Sequence, residues 1–335
     1  MGIVINNPSN ATLADNSVTT TKIADGAVTP AKLSTAVQGN NYNYIINSDF
    51  KVAQATTSAE IIAGNSVPTA SLGYPVFDCW FVYCIGGNIT QVAQFPEGSN
   101  SAKSLRIMTI SSSITSIGIG QRIEAIDAVN LATKTVTLSF ECSHTFLTSL
   151  TITASRPTTS ANTFGTIASP TKTQIATTTI SITSTSTRYS WTFTCPQEVE
   201  RGLEILFTLG ATDNAARYFY LANVKLEEGS STTTFIPTIY AEELNKCQRY
   251  FSILPASLYG YPSPSTGGFA FNQLYPLPCV MRIAPVVSRT YSSQANISST
   301  SPQNITPYFF IDRIISTAGT NTTWQLAATC SAYIP

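Results

Sequence analysis

Short stretches in which every second residue is apolar dominate the middle of the chain. In Val136–Cys142 the even positions are apolar and the odd ones polar, while in Arg188–Cys195 the odd positions are apolar. Leu203, Ile205, Phe207 and Leu209 form a further stripe, and Tyr218, Tyr220, Ala222, Val224 and Leu226 another. Period two is the spacing of side chains on one face of a strand. Many such runs, separated by Gly, Pro, Asn and Ser turns, predict antiparallel sheets. Sheets with one apolar face each stack as a sandwich or jelly roll. The β-branched run Thr177–Thr187 predicts a strand as well. One short helix is expected, over Glu242–Arg249.

The pattern changes at both ends. Near the start, Leu13–Lys22 is followed at once by Ile23–Lys32 and then Leu33, a ten-residue repeat in which Ala, Asp, Val, Thr and Lys recur in register. Each unit holds one Leu or Ile and one Val, too little to bury a core alone, so neighbouring copies must supply the missing surface. Parallel association of identical chains, three of them, does so through Leu13, Val18, Ile23, Val28 and Leu33; a flexible linker is the alternative. After Arg249 charge nearly vanishes: only Arg282, Arg289, Asp312 and Arg313 carry it, while aromatics and prolines are frequent. The chain therefore divides into an extended segment 1–43, a β-sandwich 44–236 and a small all-β module 237–335.

Composition narrows the function. Charged residues make up 11% of the 335 and the formal net charge is +0, with no basic cluster to grip a phosphate backbone, so nucleic acid is not an expected partner. No stretch of ~18 apolar residues predicts a membrane-spanning helix. Met1–Asn10 lacks the basic and apolar regions of a signal peptide, which implies synthesis in a cytoplasm and export by other means. The seven cysteines form no CxxC pair and read as buried reduced thiols.

Several stretches resemble the tail-fibre and receptor-binding proteins of tailed bacteriophages. The repeat is similar to their trimer-forming N-terminal segments. Asn43–Phe50 with Gln54, Phe77–Trp80 and Gly120–Glu124 resemble strands of their carbohydrate-module-like jelly roll, although Cys79 stands where an Arg would be expected. Val224–Gly229, Thr234–Pro237 and Glu243–Tyr250 resemble the junction between jelly roll and tip, and Pro278–Pro285 the tip itself. The resemblance implies a homotrimer on the virion surface. Its N-terminus would be held by other virion proteins and its C-terminus would face a host cell-surface carbohydrate. A head fibre or baseplate connector without a receptor role, and a glycan-degrading tailspike, are the alternatives.

Candidate chemistry is sparse. The single histidine, His144, ends a strand whose Ser139 and Ser143 fall on the opposite face by parity, and no GxSxG motif is present. No catalytic residue, metal or other cofactor is therefore expected. Jelly rolls of this type carry a structural calcium, but Asp213 and Asn214 are only two of the several oxygen ligands it takes. Glycan cleavage needs two facing carboxylates, and Asp78, Glu124 and Asp127 are the acids nearest strand patterns; surface charge or internal Arg pairing is the plainer use. Sugars present C–H faces to aromatic rings and hydroxyls to amides. Tyr259, Tyr261, Tyr275 and Tyr308 in the charge-poor module are accordingly the expected glycan-binding residues, with a trimer core as the competing role for the same rings.

Overall fold

The computed structural model describes residues 42–55, 58–59, 76–96, 103–110, 113–166, 169–213, 215–262, 269–317 and 321–334, with residues 19, 21, 23 and 24 in isolation. It is all-β, a jelly-roll sandwich followed by a small C-terminal β module. Among the described residues no helix is long and apolar enough to cross a membrane.

A six-stranded antiparallel sheet has the order β1 (Ser58–Ala59), β3 (Gln91–Phe95), β4 (Ser104–Thr109), β11 (Arg217–Glu228), β6 (Thr135–His144), β9 (Thr187–Thr194). A five-stranded sheet has the order β2 (Trp80–Ile85), β5 (Ser116–Ile123), β10 (Leu203–Leu209), β7 (Ser149–Pro157), β8 (Lys172–Ser181). The alternation read from the sequence places Val136, Leu138, Phe140 and Cys142 of β6 against Leu203, Ile205, Phe207 and Leu209 of β10 in one buried cluster. Phe140 and Phe207 meet edge to face at 5.0 Å across the two layers. Burying such a side chain contributes about 1.5–3 kcal/mol, so this layer of rings and branched chains dominates stability. Gly118 and Gly120 of β5 allow Tyr83 and Phe81 to lie on the sheet. An added Cβ would come within 2.1 Å of the first ring and 2.3 Å of the second.

Two expectations are corrected here. The Thr177–Thr187 run is split between β8, which ends at Ser181, and the connection into β9. The stripe Tyr218–Leu226 is broken by a bulge between Ala222 and Lys225, where Asn223 takes a left-handed φ of 50°. Phe219 and Leu221 therefore point into the core before the bulge and Val224 and Leu226 after it, and Tyr218, Tyr220 and Ala222 turn to the outer face.

The helix, Tyr240–Gln248, begins two residues earlier than expected and leads into β12 (Phe251–Pro262). β12 pairs with β17 (Asn321–Ser331), which also pairs with β14 (Val286–Ala295). The facing sheet has the order β13 (Ala270–Pro276), β16 (Phe309–Ser316), β15 (Ile297–Gln303). Trp324, Phe310, Ile314, Met281 and Leu326 fill the space between them.

The two parts meet over buried polar groups. Asn47 donates through its amide to the carbonyls of Val52 and Asp78 at 2.8 and 3.0 Å, and its own carbonyl accepts from Trp80 Nε1 at 3.0 Å. Glu124, 2% exposed, accepts two hydrogen bonds from Arg249 and lies 3.5 Å from Arg282. Arg282 also donates to the carbonyls of Ala332 and Tyr333. Cys79 and Cys247 share one apolar cluster at this junction with Tyr250 and Ile334.

Burial in this region makes stability fall with pH. Asp78 is 2% exposed, and desolvation raises its carboxyl to about 6 against opposing hydrogen bonds from Gln54. Asp49, Asp127 and Asp312 are raised by burial too. A folded-state pKa above the unfolded value means that the native state holds the proton more tightly. The stability it contributes is complete below about pH 4 and disappears as pH rises through about 6. For Asp78 the gain between pH 7 and pH 5 is about 1 kcal/mol. Urea midpoints are expected to rise over that interval and to flatten in Asp78→Asn; a wild-type midpoint that falls toward pH 5 contradicts this.

Candidate functional site

The outer face of the six-stranded sheet carries a continuous band of rings and polar groups, assembled by cross-strand register. β3 presents Phe95 and Gln91, and β4 presents Arg106, which pairs with Ala93 on one side and with Tyr220 on the other. Tyr220 pairs in turn with Ser143 of β6, Ala222 with Glu141, and Glu141 with Arg188 of β9. The band is half-buried at Phe95, Arg106, Tyr218 and Tyr220.

At one end the rings hold a guanidinium. Arg106 lies 4.4 Å from the Phe95 ring centre and 5.8 Å from that of Tyr218, and Tyr218 stacks on Tyr220 at 6.4 Å. Cation–π attraction of this kind orders both partners. Arg106 also donates to Gln91 through Nη2, yet its Nε is buried without a partner among the described residues.

At the other end lies an open groove of about 460 Å³, lined by Glu141, Ser186, Arg188, Thr232, Thr233, Thr234 and Phe235. The segment after β11 folds back along the sheet because Thr137 Oγ1 donates to the Gly229 carbonyl at 2.7 Å and Glu227 accepts from Thr233 N at 2.9 Å. Beneath the groove Arg188 donates to Ser139 Oγ at 2.6 Å and to the Asn223 carbonyl at 3.4 Å, and lies 3.7 Å from Glu141. Burial lowers the Arg188 pKa, and Glu141 and Glu227 oppose it. Lys225, 1% exposed, is neutralised by Glu227 at 3.0 Å. The side-chain amide of Asn223 is buried with no partner on either its nitrogen or its oxygen among the described residues. Orphaned buried polar groups cost free energy unless a ligand or water engages them. Arg106 Nε is such a group among the rings of this face.

The tyrosines expected to bind glycan are placed elsewhere. Tyr275 is 5% exposed, inside the module core; its ring stacks on Phe310 at 5.0 Å and its hydroxyl accepts from Trp324 Nε1 at 3.2 Å. That ring offers no face to a sugar, which corrects the expectation for this residue. Tyr259 is half-buried and stacks on Trp324 at 5.8 Å. Tyr308 is 62% exposed. Tyr261 lies on β12, and its side chain is outside the described residues. Of the repeat positions, Ile23 is exposed, and Leu13, Val18, Val28 and Leu33 lie outside the described residues.

The acids near strand patterns are placed structurally. Asp78 accepts from Gln54, Glu124 pairs with Arg249 and Arg282, and Arg122 pairs with Glu204 at 2.9 Å. Asp127 lies in a cleft beside Tyr42, Lys246 and Arg249. His144 is 8% exposed, and its Nδ1 accepts from the backbone of Phe146 and Leu147 at 3.0 and 2.8 Å, so a satisfied strand-end histidine describes it. Asp213 is clasped by Arg217, which holds its carboxyl down at about 2; Asn214 lies outside the described residues. Among the described residues no three His, Cys, Asp or Glu side chains converge to hold a metal ion.

No protein-family model matches the chain, and no curated protein matches it. Among solved structures it is similar over 56% of its length to the enzymatically active domain of tailspike protein 4 of bacteriophage CBA120, at 13% identity and a TM-score of 0.35. It spans only 21% of that chain. It is also similar to the C-terminal family 22 carbohydrate-binding module of Clostridium thermocellum Xyn10B, at 12% identity over 58% of this chain and 98% of that one, with a TM-score of 0.34. A third similar structure is TmCBM61 in complex with β-1,4-galactotriose, at 9% identity over 56% of this chain and 99% of that one, with a TM-score of 0.33. Values this low identify no family.

Proposed function

We propose that this chain is a virion fibre subunit that adheres to a host-surface glycan through the outer face of its six-stranded sheet and performs no chemistry on it. The observation that carries the binding reading is the band of rings from Phe95 and Tyr220 to Arg188, which runs into the open groove lined by Glu141, Arg188 and Thr232 to Thr234. Rings meet the C–H faces of a sugar, while the Thr hydroxyls and the charged pair of Glu141 and Arg188 meet its hydroxyls. An open, shallow groove suits an extended chain of sugars.

The virion assignment rests on the sequence resemblance. In this reading residues 1–43 attach to other virion proteins and join three copies, 44–236 form the binding body, and 237–335 form the tip. Hydrolysis is disfavoured because Asp78 and Glu124 are bound up at the junction, Asp127 stands in a separate cleft beside Lys246 and Arg249, and Glu141 is held by Arg188.

Tyr220→Ala removes one ring from the band without touching the inward face of β11. Binding of the full chain to host cells is expected to weaken about tenfold, corresponding to about 1.4 kcal/mol, with mass in solution unchanged. Equal binding by a folded Tyr220→Ala trimer would refute this face as the site. No binding by the intact wild-type trimer would favour a head fibre or connector, and reducing ends released from host polysaccharide would favour a tailspike enzyme.

A further inference from the structure

Beyond Arg249 the C-terminal module carries four charges, and three of them are paired, one of these with the sandwich. Asp312, fully buried, is engaged by Arg289 and by the Tyr291 hydroxyl. Arg282 is neutralised by Glu124 at 3.5 Å. That leaves Arg313, which is exposed and has no ion-pair partner among the described residues. From Tyr250 to the end of the chain Asp312 is the only acid. Adjacent strand residues face opposite ways, so Asp312 lies inside the module while Arg313 stands on its outer face.

Arg313 is not isolated among apolar groups. Its register partners on β16's two neighbours are Asn272 of β13 and Ser301 of β15. A cleft of about 170 Å³ forms there, lined by Ala270, Asn272, Gln303, Asn304, Ile311 and Arg313. Three side-chain amides and one guanidinium thus surround a floor of Ala270 and Ile311. The volume is below the roughly 300–1,000 Å³ of pockets for drug-sized ligands, so the cleft has room for a single ring. A guanidinium presents a planar fork of donors that matches a carboxylate, and amides both donate to and accept from hydroxyls.

We propose that this cleft is a second glycan subsite, which takes a carboxylate-bearing sugar ring, with Arg313 gripping the carboxylate and Asn272, Gln303 and Asn304 reading the ring hydroxyls. The proposal rests on the glycan-binding reading and adds the charge class of the ligand. The sheet face carries the length of the glycan, and the tip selects chains that contain an acidic residue. Because Arg313 is exposed, the preference weakens as salt rises.

The test uses the full chain on an array of bacterial envelope polysaccharides printed in pairs, each in its native carboxylated form beside its carboxyl-reduced form. Wild type is expected to bind the native member of responsive pairs at least tenfold more tightly. Arg313→Gln should bind both members alike, and Arg313→Lys should keep part of the preference. Tyr220→Ala should weaken both members together, which separates the subsite from the sheet face. Equal binding of both forms by wild type, or a full preference retained by Arg313→Gln, overturns the subsite while leaving the sheet-face reading intact. Wild type that binds neither form of any polysaccharide, nor host cells, overturns both.

Discussion

Replacing Glu124 by alanine is expected to lower the free energy of unfolding by about 3–5 kcal/mol, the usual cost of removing one partner from a buried ion pair. The carboxylate is 2% exposed and serves two guanidiniums. Arg249 Nη2 and Nε donate to one oxygen at 2.8 and 3.1 Å, and Arg282 Nε approaches the other at 3.5 Å. The two arginines respond differently to its loss. Arg249 is 36% exposed along its side chain and can turn to water, whereas Arg282 is 8% exposed and is tied to the carbonyls of Ala332 and Tyr333. The penalty therefore falls mainly on Arg282, left as a charge in a poorly hydrated junction. Hydrogen exchange should localise the damage. Amides of Ala332 and its neighbours should lose protection before those of β6 and β10, because Ala332 N donates to Tyr250 O in this junction. Glu124→Gln keeps an acceptor and should cost less. A Glu124→Ala variant within about 1 kcal/mol of wild type would show that water screens the cluster.

The sandwich core was legible because its strands obey one rule. Alternation in β6, β9 and β10 named Phe140, Trp191 and Phe207 as inward residues, and the inward rows of these strands pack together. The same rule failed in β11 for a specific reason. A single extra residue at the Asn223 bulge shifts parity, so an apparently continuous stripe crosses from one face to the other. Asn, which tolerates the left-handed conformation better than most residues, was the only local sign. The candidate sheet face is hidden for the same reason, since period two puts Tyr218 and Tyr220 in one row with Val224 and Leu226. Its polar half was hidden further: Ser139 and Glu141 are buried although they point away from the core, because the chain folds back over them after Gly229. Period-two reasoning marks a polar row as exposed and cannot foresee a covering segment. In the C-terminal module the abundance of aromatics was legible, but not their division. Tyr275 and Tyr308 look alike in sequence, and only the pairing of β13 with β16 puts the first against Phe310 and leaves the second in water.

The same module carries the second large effect. Asp312→Ala is expected to destabilise the chain by about 3 kcal/mol or more. Asp312 is 0% exposed within a small core, and it accepts from the Arg289 guanidinium and from the Tyr291 hydroxyl. Removing it takes the counter-ion from Arg289, 17% exposed along its side chain, and the acceptor from the Tyr291 hydroxyl, leaving the two their mutual hydrogen bond at 2.9 Å. A buried charge without a partner costs more than the pair contributed, because the attraction only offsets desolvation that both groups have already undergone. This asymmetry makes a double variant informative. Arg289→Met together with Asp312→Leu removes both charges and fills the space with apolar atoms, so it should recover most of the loss, leaving a coupling energy of 0.5–3 kcal/mol or somewhat above, as for neighbouring groups in general. Burial raises the Asp312 pKa while Tyr291 and Arg289 oppose it, so mild acid should not mimic the alanine variant. Hydrogen exchange at the β17 amides through a urea titration reads the module directly, since Trp324 and Leu326 of β17 lie in the same core and Trp80 and Trp191 of the sandwich would blur a fluorescence signal. If the double variant is no more stable than Asp312→Ala, the ion pair contributes shape that methionine and leucine cannot replace, and the desolvation argument fails for this module.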